Sequence, residues 1–331
     1  MATLYLTEQG SVVKKKSRRL VVAKKEEILA EVPTFNLERV IIYGNVQITT
    51  QTLNFLLESG IETSFMSTHG KFHGRLAPME SKNILLRIAQ YERYLDEEFQ
   101  VNHSKRIVEA KIKNGRTIIQ RYISNHPEVD FGNVVEELAQ SLKSLQNKER
   151  VSTILGVEGQ STANYFQAFG KMFRGDLKFA GRCRRPPKDP INALLSFGYM
   201  LITNEILSIL CAIGFDPYIG YLHGIDYGRP SLALDLVEEF RHPVVDRFTL
   251  NLINNHILSE DDFENKGEEG IYLKKEALTK YFAQYEQMIT HSFTDFSSNE
   301  KINYRLLFKN QAYKLAKTIQ TKEPYQPFLV R

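Results

Sequence analysis

The sequence predicts an α+β, multi-domain protein. A small N-terminal β-strand-rich domain over residues 1–76 is followed by a larger all-α helical domain over residues 77–331. Three observations lead there. The chain has 331 residues, and single hydrophobic cores stop growing near about 250–300 residues. The first 76 residues alternate short β-favouring runs with turn residues. From Pro78 onward, apolar residues recur at helical spacing instead.

Leu4-Tyr5-Leu6, Ser11-Val12-Val13, Leu20-Val21-Val22 and Arg39 to Tyr43 read as strands, because β-branched and aromatic residues fit a pleated surface. Gly44-Asn45, Gly60 and His69-Gly70-Lys71 punctuate them as turns. One helix interrupts, with Leu53, Leu56 and Leu57 on one face and Thr49 or Thr50 as its N-cap, and a strand follows from Thr63 to Met66. Beyond Pro78, the sets Ile84-Leu85-Ile88-Tyr91, Ile107-Ala110-Ile112, Ile118-Ile119-Tyr122 and Val134-Val135-Leu138-Leu142 read as helix faces. No strand is expected after residue 80 beyond isolated pairs. Residues 260–269 hold six acids and one lysine and read as an exposed loop.

With 42% hydrophobic and 25% charged residues, the composition excludes a collagen, a disordered tail protein and a disulfide-stapled mini-domain. Cys183 and Cys211 stand in no CxxC pair, so a zinc knuckle and a redox dithiol are both unsupported. Reduced thiols in a cytoplasmic protein are the expectation, and the N-terminal residues lack a signal-peptide pattern. The most apolar stretch, Ala193 to Phe215, carries Asn204 and Glu205 at its centre, where lipid would penalise a carboxylate by a few kcal/mol. It reads as a core helix, with no membrane partner.

The 43 Lys and Arg exceed the 39 Asp and Glu by only four, so the distribution of charge must decide whether nucleic acid is a partner. Residues 11–25 carry Lys14, Lys15, Lys16, Arg18, Arg19, Lys24 and Lys25 with no acid. A solvated hairpin edge accounts for them as well as a ligand does, because lysines on edges block sheet-to-sheet pairing. Residues 171–190 carry Lys171, Arg174, Lys178, Arg182, Arg184, Arg185 and Lys188 against Asp176 and Asp189. Arginine makes bidentate contacts to phosphate, and Pro186, Pro187 and Pro190 stiffen the segment and forbid a regular helix across its end. Arg182, Arg184, Arg185 and Lys188 are therefore candidate nucleic-acid-binding residues.

Three separated stretches could carry chemistry. Glu158 is flanked by glycines in an otherwise uncharged run, with Tyr165-Phe166 two turns later on the same helix face. His223 closes the apolar segment Tyr218 to Leu222. Ser231 can cap a helix that Pro243 ends, and that helix places Asp235, Glu238 and Glu239 three and four residues apart. Taken singly, each has a bland explanation: a satisfied core histidine, or solvated acids on an amphipathic face. Together, two carboxylates and one imidazole suit Mg²⁺ or Mn²⁺ better than zinc. On residues alone the chemistry is a metal site beside an arginine-rich phosphate surface.

At these residues the chain resembles the CRISPR-associated spacer-acquisition integrase/endonuclease family, the larger of the two core adaptation proteins. Glu158-Gly159 with Tyr165-Phe166 is similar to its first metal-ligand motif, and Arg184 to Tyr199 to its proline–asparagine signature. Gly220-Tyr221-Leu222-His223 and Leu232 to Glu239 are similar to its second and third ligand motifs, and Asp246-Arg247 follow in order. The resemblance implies a β-stranded N-terminal domain for dimerisation and a helical domain, 77–331, for catalysis and for binding metal and DNA. It implies Mg²⁺ or Mn²⁺ on Glu158, His223 and Glu238, with Asp235 beside them as a further catalytic residue that binds metal, directly or through water, or only orients His223; Glu239 is a rival for the ligand role of Glu238. It implies a homodimer that joins a small ferredoxin-like partner in a heterohexamer and acts on prespacer and repeat-array DNA. The implied reaction is attack of a 3′-hydroxyl on a phosphodiester, with hydrolytic DNA cleavage at the same site. A general metal-dependent repair nuclease and a non-catalytic DNA-binding scaffold are the alternatives.

Overall fold

Alternation of side chains decides the first unit, and a burial stripe decides the second. A computed structural model of the chain describes residues 2–68, 72–76, 83–183, 186–295 and 299–330. It divides into two compact units, Met1–Glu80 and Ser81–Arg331.

In the first unit, β1 (Ala2–Leu6), β5 (Leu37–Tyr43), β7 (Glu62–Met66) and β8 (Phe72–Leu76) form one sheet in the order β1-β5-β7-β8. Its first three strands run parallel and β8 pairs antiparallel to β7. A second sheet has the order β4-β3-β2-β6, from β2 (Val12–Lys16), β3 (Arg19–Lys24), β4 (Glu27–Pro33) and β6 (Gln47–Ile48). Leu6, Val13, Leu20, Val22, Val40 and Ile42 supply one shared core. Helix α1 (Thr50–Glu58) begins where expected: the Thr49 hydroxyl accepts from the Thr52 amide, an N-cap. The lysine-rich segment is the β2–β3 hairpin, with Lys14 to Lys16 exposed, Lys24 paired to Glu8 and Arg19 to Glu31 at 3.1 Å. Strand β4 escapes the sequence reading because it is an exposed edge: six of its seven residues face solvent, so no period-2 pattern is imposed.

The second unit is mainly helical: α2 (Ile84–Tyr94), α3 (Glu97–Asn125), α4 (Val134–Gln146), α5 (Val151–Gly170), α6 (Pro190–Ile213), α7 (Ser231–Val237), α8 (Arg247–Asn254), α9 (Lys275–Thr290) and α10 (Tyr304–Thr321). The two periodic sets between Ile107 and Tyr122 belong to the single 29-residue helix α3, which packs on α4 and α5. Helix α6 has Asp189 as N-cap to the Asn192 amide at 2.7 Å and Pro190 in its first turn, where the missing N–H costs nothing. It is long and apolar enough to cross a bilayer, yet Leu194, Leu195, Ile202, Ile206 and Leu210 are fully buried within this unit.

Two expectations need correction. The unit contains two small hairpins, β9 (Phe263–Asn265) with β10 (Ile271–Leu273) and β11 (Phe293–Asp295) with β12 (Glu300–Ile302). Three-residue strands are too short to show alternation. The acidic segment is thus largely an exposed hairpin, and its Ile271 amide donates to the Pro187 carbonyl at 2.9 Å. The second concerns α7. Ser231 is its first residue, not its cap, and donates its hydroxyl to Gly224 O at 2.8 Å. Pro243 does not stop the chain either: Arg241–Asp246 widen into a π turn that continues into α8, which tolerates a residue without an N–H.

Candidate metal and nuclease site

The apolar stripe of α3 brings one cation into the interior. Ser104, Ile107, Val108, Ile112, Ile118 and Ile119 are buried on this helix, and so is Lys111, with a 3% exposed side chain. Its ammonium contacts Glu158 Oε1 from α5 and lies 2.7 Å from Glu238 Oε2 at the end of α7. Arg241 Nη2 meets the other oxygen of Glu238 at 3.1 Å, and His223 Nε2 stands 3.8 Å from that oxygen. Thr162 donates to Glu158 Oε1 at 2.8 Å. The side chains of Glu158 and His223 are 19% and 17% exposed while Glu238 is 4%, so the cluster opens to solvent on the Glu158–His223 side.

Asp235 shapes the loop that carries the imidazole. Its Oδ2 accepts from the amides of Tyr221 at 2.6 Å and Leu222 at 3.0 Å. Its Oδ1 accepts from the His223 amide at 2.8 Å and from His223 Nδ1 at 2.7 Å. A carboxylate there requires hydrogen on Nδ1, which leaves Nε2 as the ring nitrogen facing the cluster. Gly220 permits the tight wrap, since a Cβ would sit 2.8 Å from the His223 carbonyl and from the Ser231 backbone.

Two adjacent carboxylates have opposite fates. Burial works to raise Glu238, but Arg241, Lys111 and His223 outweigh it and hold the carboxyl down at about 2. Burial likewise opposes ionisation of Glu158, and the Lys111 charge overrides it in the same downward direction. Glu239 faces the other way. Tyr325 donates to it at 2.6 Å and Gln311 at 3.1 Å, together with the Phe328 amide, yet burial pushes it up to about 7. Glu239 anchors the C-terminal segment and has no oxygen left for this cluster.

A second network braces the first. His242 Nδ1 bonds Asp246 Oδ2 at 2.7 Å, and Tyr199 donates to Asp246 Oδ1. The Arg241 guanidinium lies over the Tyr199 ring, 4.8 Å from its centroid, and the Tyr165 ring packs on His242 at 3.8 Å. Lys111, Arg241 and the His242–Asp246 pair were missed by sequence reasoning. Lys111 left a signal: it falls four residues after Ile107 and three after Val108, a charge on a buried stripe.

The basic segment resolves unevenly. Arg182 spends its guanidinium inside the protein, donating to Cys183 O and Asn192 Oδ1 at 2.7 Å each and to Ser196 Oγ at 3.0 Å. Lys188 is exposed. Arg184 and Arg185 lie outside the described residues.

Among the described residues no three His, Cys, Asp or Glu side chains stand ready-made as a metal cage. The donor set nevertheless suits a hard divalent ion: two ionised carboxylates, one imidazole nitrogen fixed in its tautomer, and a buried Glu238 Oε2 with no hydrogen bond of proper alignment. A cation already occupies the meeting point, namely the ammonium of Lys111.

Comparison with known proteins shows the family of the chain. A family model described as CRISPR associated protein Cas1 matches residues 4–287. The chain belongs to the Cas1 family. It is 32% identical over 335 residues to a protein of Thermus thermophilus named CRISPR-associated endonuclease Cas1 3, covering 100% of this chain and 98% of that relative. A Cas1 protein from Thermotoga maritima shares the fold with a TM-score of 0.82, 27% identity and full coverage of both chains. A casposase bound to its integration product superposes with a TM-score of 0.86 at 24% identity, covering 99% of this chain and 93% of that one, which is a likeness of fold.

Proposed function

We propose that this Cas1-family chain is the integrase/endonuclease of CRISPR adaptation, with Glu158, His223 and Glu238 holding one Mg²⁺ or Mn²⁺ ion and Asp235 orienting His223. The carrying observation is that Glu158 and Glu238 converge from α5 and α7 on one buried cation, with His223 Nε2 3.8 Å from Glu238. In the forward reaction a 3′-hydroxyl of captured DNA attacks a phosphodiester at a repeat edge. One P–O bond forms, one breaks, and the proton of the attacking hydroxyl ends on the departing 3′-oxygen. With water as nucleophile the same site cleaves DNA. A bound divalent ion supplies Lewis acidity and charge stabilisation at the phosphoryl group. The protein's own part is to keep both carboxylates ionised, to fix the His223 tautomer through Asp235, and to hold Glu238 in place through Arg241 and the Tyr199 ring beneath it.

DNA-backbone contacts fall to Arg184, Arg185 and Lys188, while Arg182 braces the first turns of α6, which follow them in the sequence. The N-terminal unit, 1–76, serves dimerisation, and the exposed Ile28 and Leu29 of the edge strand β4 support that assignment. The helical part, 77–331, carries catalysis and the metal and DNA sites. The partners are prespacer and repeat-array DNA and a small ferredoxin-like protein that completes a heterohexamer, all in the cytoplasm.

The test is a strand-transfer assay with a prespacer and a repeat-bearing plasmid. Glu158→Ala and His223→Ala each lower metal-dependent strand transfer by at least a thousandfold, a loss of about 4 kcal/mol of transition-state stabilisation. Duplex binding and the far-UV spectrum stay as in the parent. Retained transfer in both variants would refute the assignment, and cleavage without integration by the parent would favour a repair nuclease.

A further inference from the structure

The two carboxylates that face Lys111 are already paired with cations. Glu158 and Glu238 are matched by Lys111 and Arg241. A divalent ion entering beside Lys111 would add two positive charges where Glu158 and Glu238 are already matched, and Asp235, turned onto the His223 loop, offsets only part of them, which a low-dielectric site resists. Of the two cations, Arg241 is fixed. Its guanidinium lies over the Tyr199 ring, and that ring is held by Asp246. Lys111 is a point charge on a flexible stem, and its ammonium contacts the two carboxylate oxygens that face each other across the site.

We propose that Lys111 is a resident counter-cation that holds Glu158 and Glu238 together when no metal is bound and must withdraw its ammonium for a divalent ion to enter, so that it sets the affinity of the site for metal. This rests on the metal reading given above and adds a positioning residue to it. The lysine keeps two buried carboxylates from repelling each other and preserves their spacing. The ion then competes with an intramolecular ligand, as any displacement of a tethered cation requires. Metal binding is weaker than the donor set alone would give, and occupancy becomes sensitive to whatever draws the ammonium away.

The experiment is a Mn²⁺ titration of the full chain without DNA, read by the electron paramagnetic resonance signal of free Mn²⁺, alongside thermal unfolding with and without Mn²⁺. Lys111→Gln keeps the length and polarity of the side chain without its charge, and Lys111→Met is the second variant should the first not fold. Either one binds Mn²⁺ at least tenfold more tightly than the parent. It unfolds at a lower temperature without metal, and Mn²⁺ restores it by more than it raises the parent. A purely structural lysine would lower stability without tightening metal binding. Binding that Glu158→Gln removes but both lysine variants leave at parental strength or weaken overturns the role of Lys111 alone. Mn²⁺ binding that Glu158→Gln does not diminish overturns the metal reading, and this inference with it.

Discussion

Two charge clusters of the helical unit differ in build, and their contrast separates a saturated ion network from an open one. In the first, Arg305 of α10 donates Nε to Glu205 Oε2 at 3.0 Å and Nη2 to Oε1 at 3.1 Å, and reaches Glu286 with Nη1 at 2.7 Å and Nη2 at 2.5 Å. Tyr285 donates to Glu205 as well, at 3.0 Å. Fork meets fork, every named oxygen is answered, and three elements are tied. In the second, a lysine point charge stands between Glu158 and Glu238, one carboxylate oxygen lacks an aligned donor, and the cluster opens to solvent beside His223. Saturation with a planar cation marks a cluster built to stay. A displaceable cation, an under-used acceptor and an open edge mark one built to exchange its contents.

Breaking the saturated cluster costs the most stability. Arg305→Met leaves the buried Glu205 with the Tyr285 phenol and removes its guanidinium partner. About 3–5 kcal/mol of unfolding free energy is lost, as for other buried pairs deprived of one partner. Urea unfolding measures it, and metal-dependent DNA cleavage per folded molecule stays at the parental level. A loss below about 1 kcal/mol would mean that the cluster is worth no more than a surface pair.

The exchangeable cluster responds differently. Asp235→Asn turns an amide N–H₂ toward backbone amides that also donate, and takes away the acceptor that fixes His223 Nδ1–H. Metal affinity falls roughly 10–100-fold, the range for losing an outer partner of a histidine ligand. A Mn²⁺ titration measures the fall, and parental affinity would detach Asp235 from the orientation of His223.

How far each region could be read from sequence follows from range. The strands Leu20 to Val22 and Arg39 to Tyr43, the Thr49 cap and the helix opened by Asp189-Pro190 are local patterns, and they stand where local chemistry puts them. Glu158, His223, Asp235 and Glu238 stood out as unusual acids and an imidazole among apolar or glycine neighbours. The cation that joins two of them did not: the place of Lys111 on the buried stripe of α3 marks its burial, but its partner Glu158 lies 47 residues on, and pairing over that separation is not written locally. Strand β4 stayed hidden for the opposite reason: almost nothing in it is buried, so no alternation is imposed.

The smallest effect sharpens the contrast on the far side of the His223 loop. His103 on α3 is packed among Phe99, Tyr221 and Tyr325, and its Nδ1 has no hydrogen-bond partner among the described residues. Burial lowers it to about 4, with Asp235 acting to raise it and Arg106 to lower it further. The imidazole is therefore neutral in the folded state and takes up a proton more readily when unfolded. Its contribution is fully present above about pH 6.5 and is lost progressively as the pH falls toward 4. Between pH 7.5 and 5.5 the chain loses about 1 kcal/mol from this group. His103→Gln removes that slope, at the cost of some packing at neutral pH. Urea midpoints at the two pH values measure the difference, and an equal acid sensitivity in parent and variant would show that His103 is not the group that charges on unfolding.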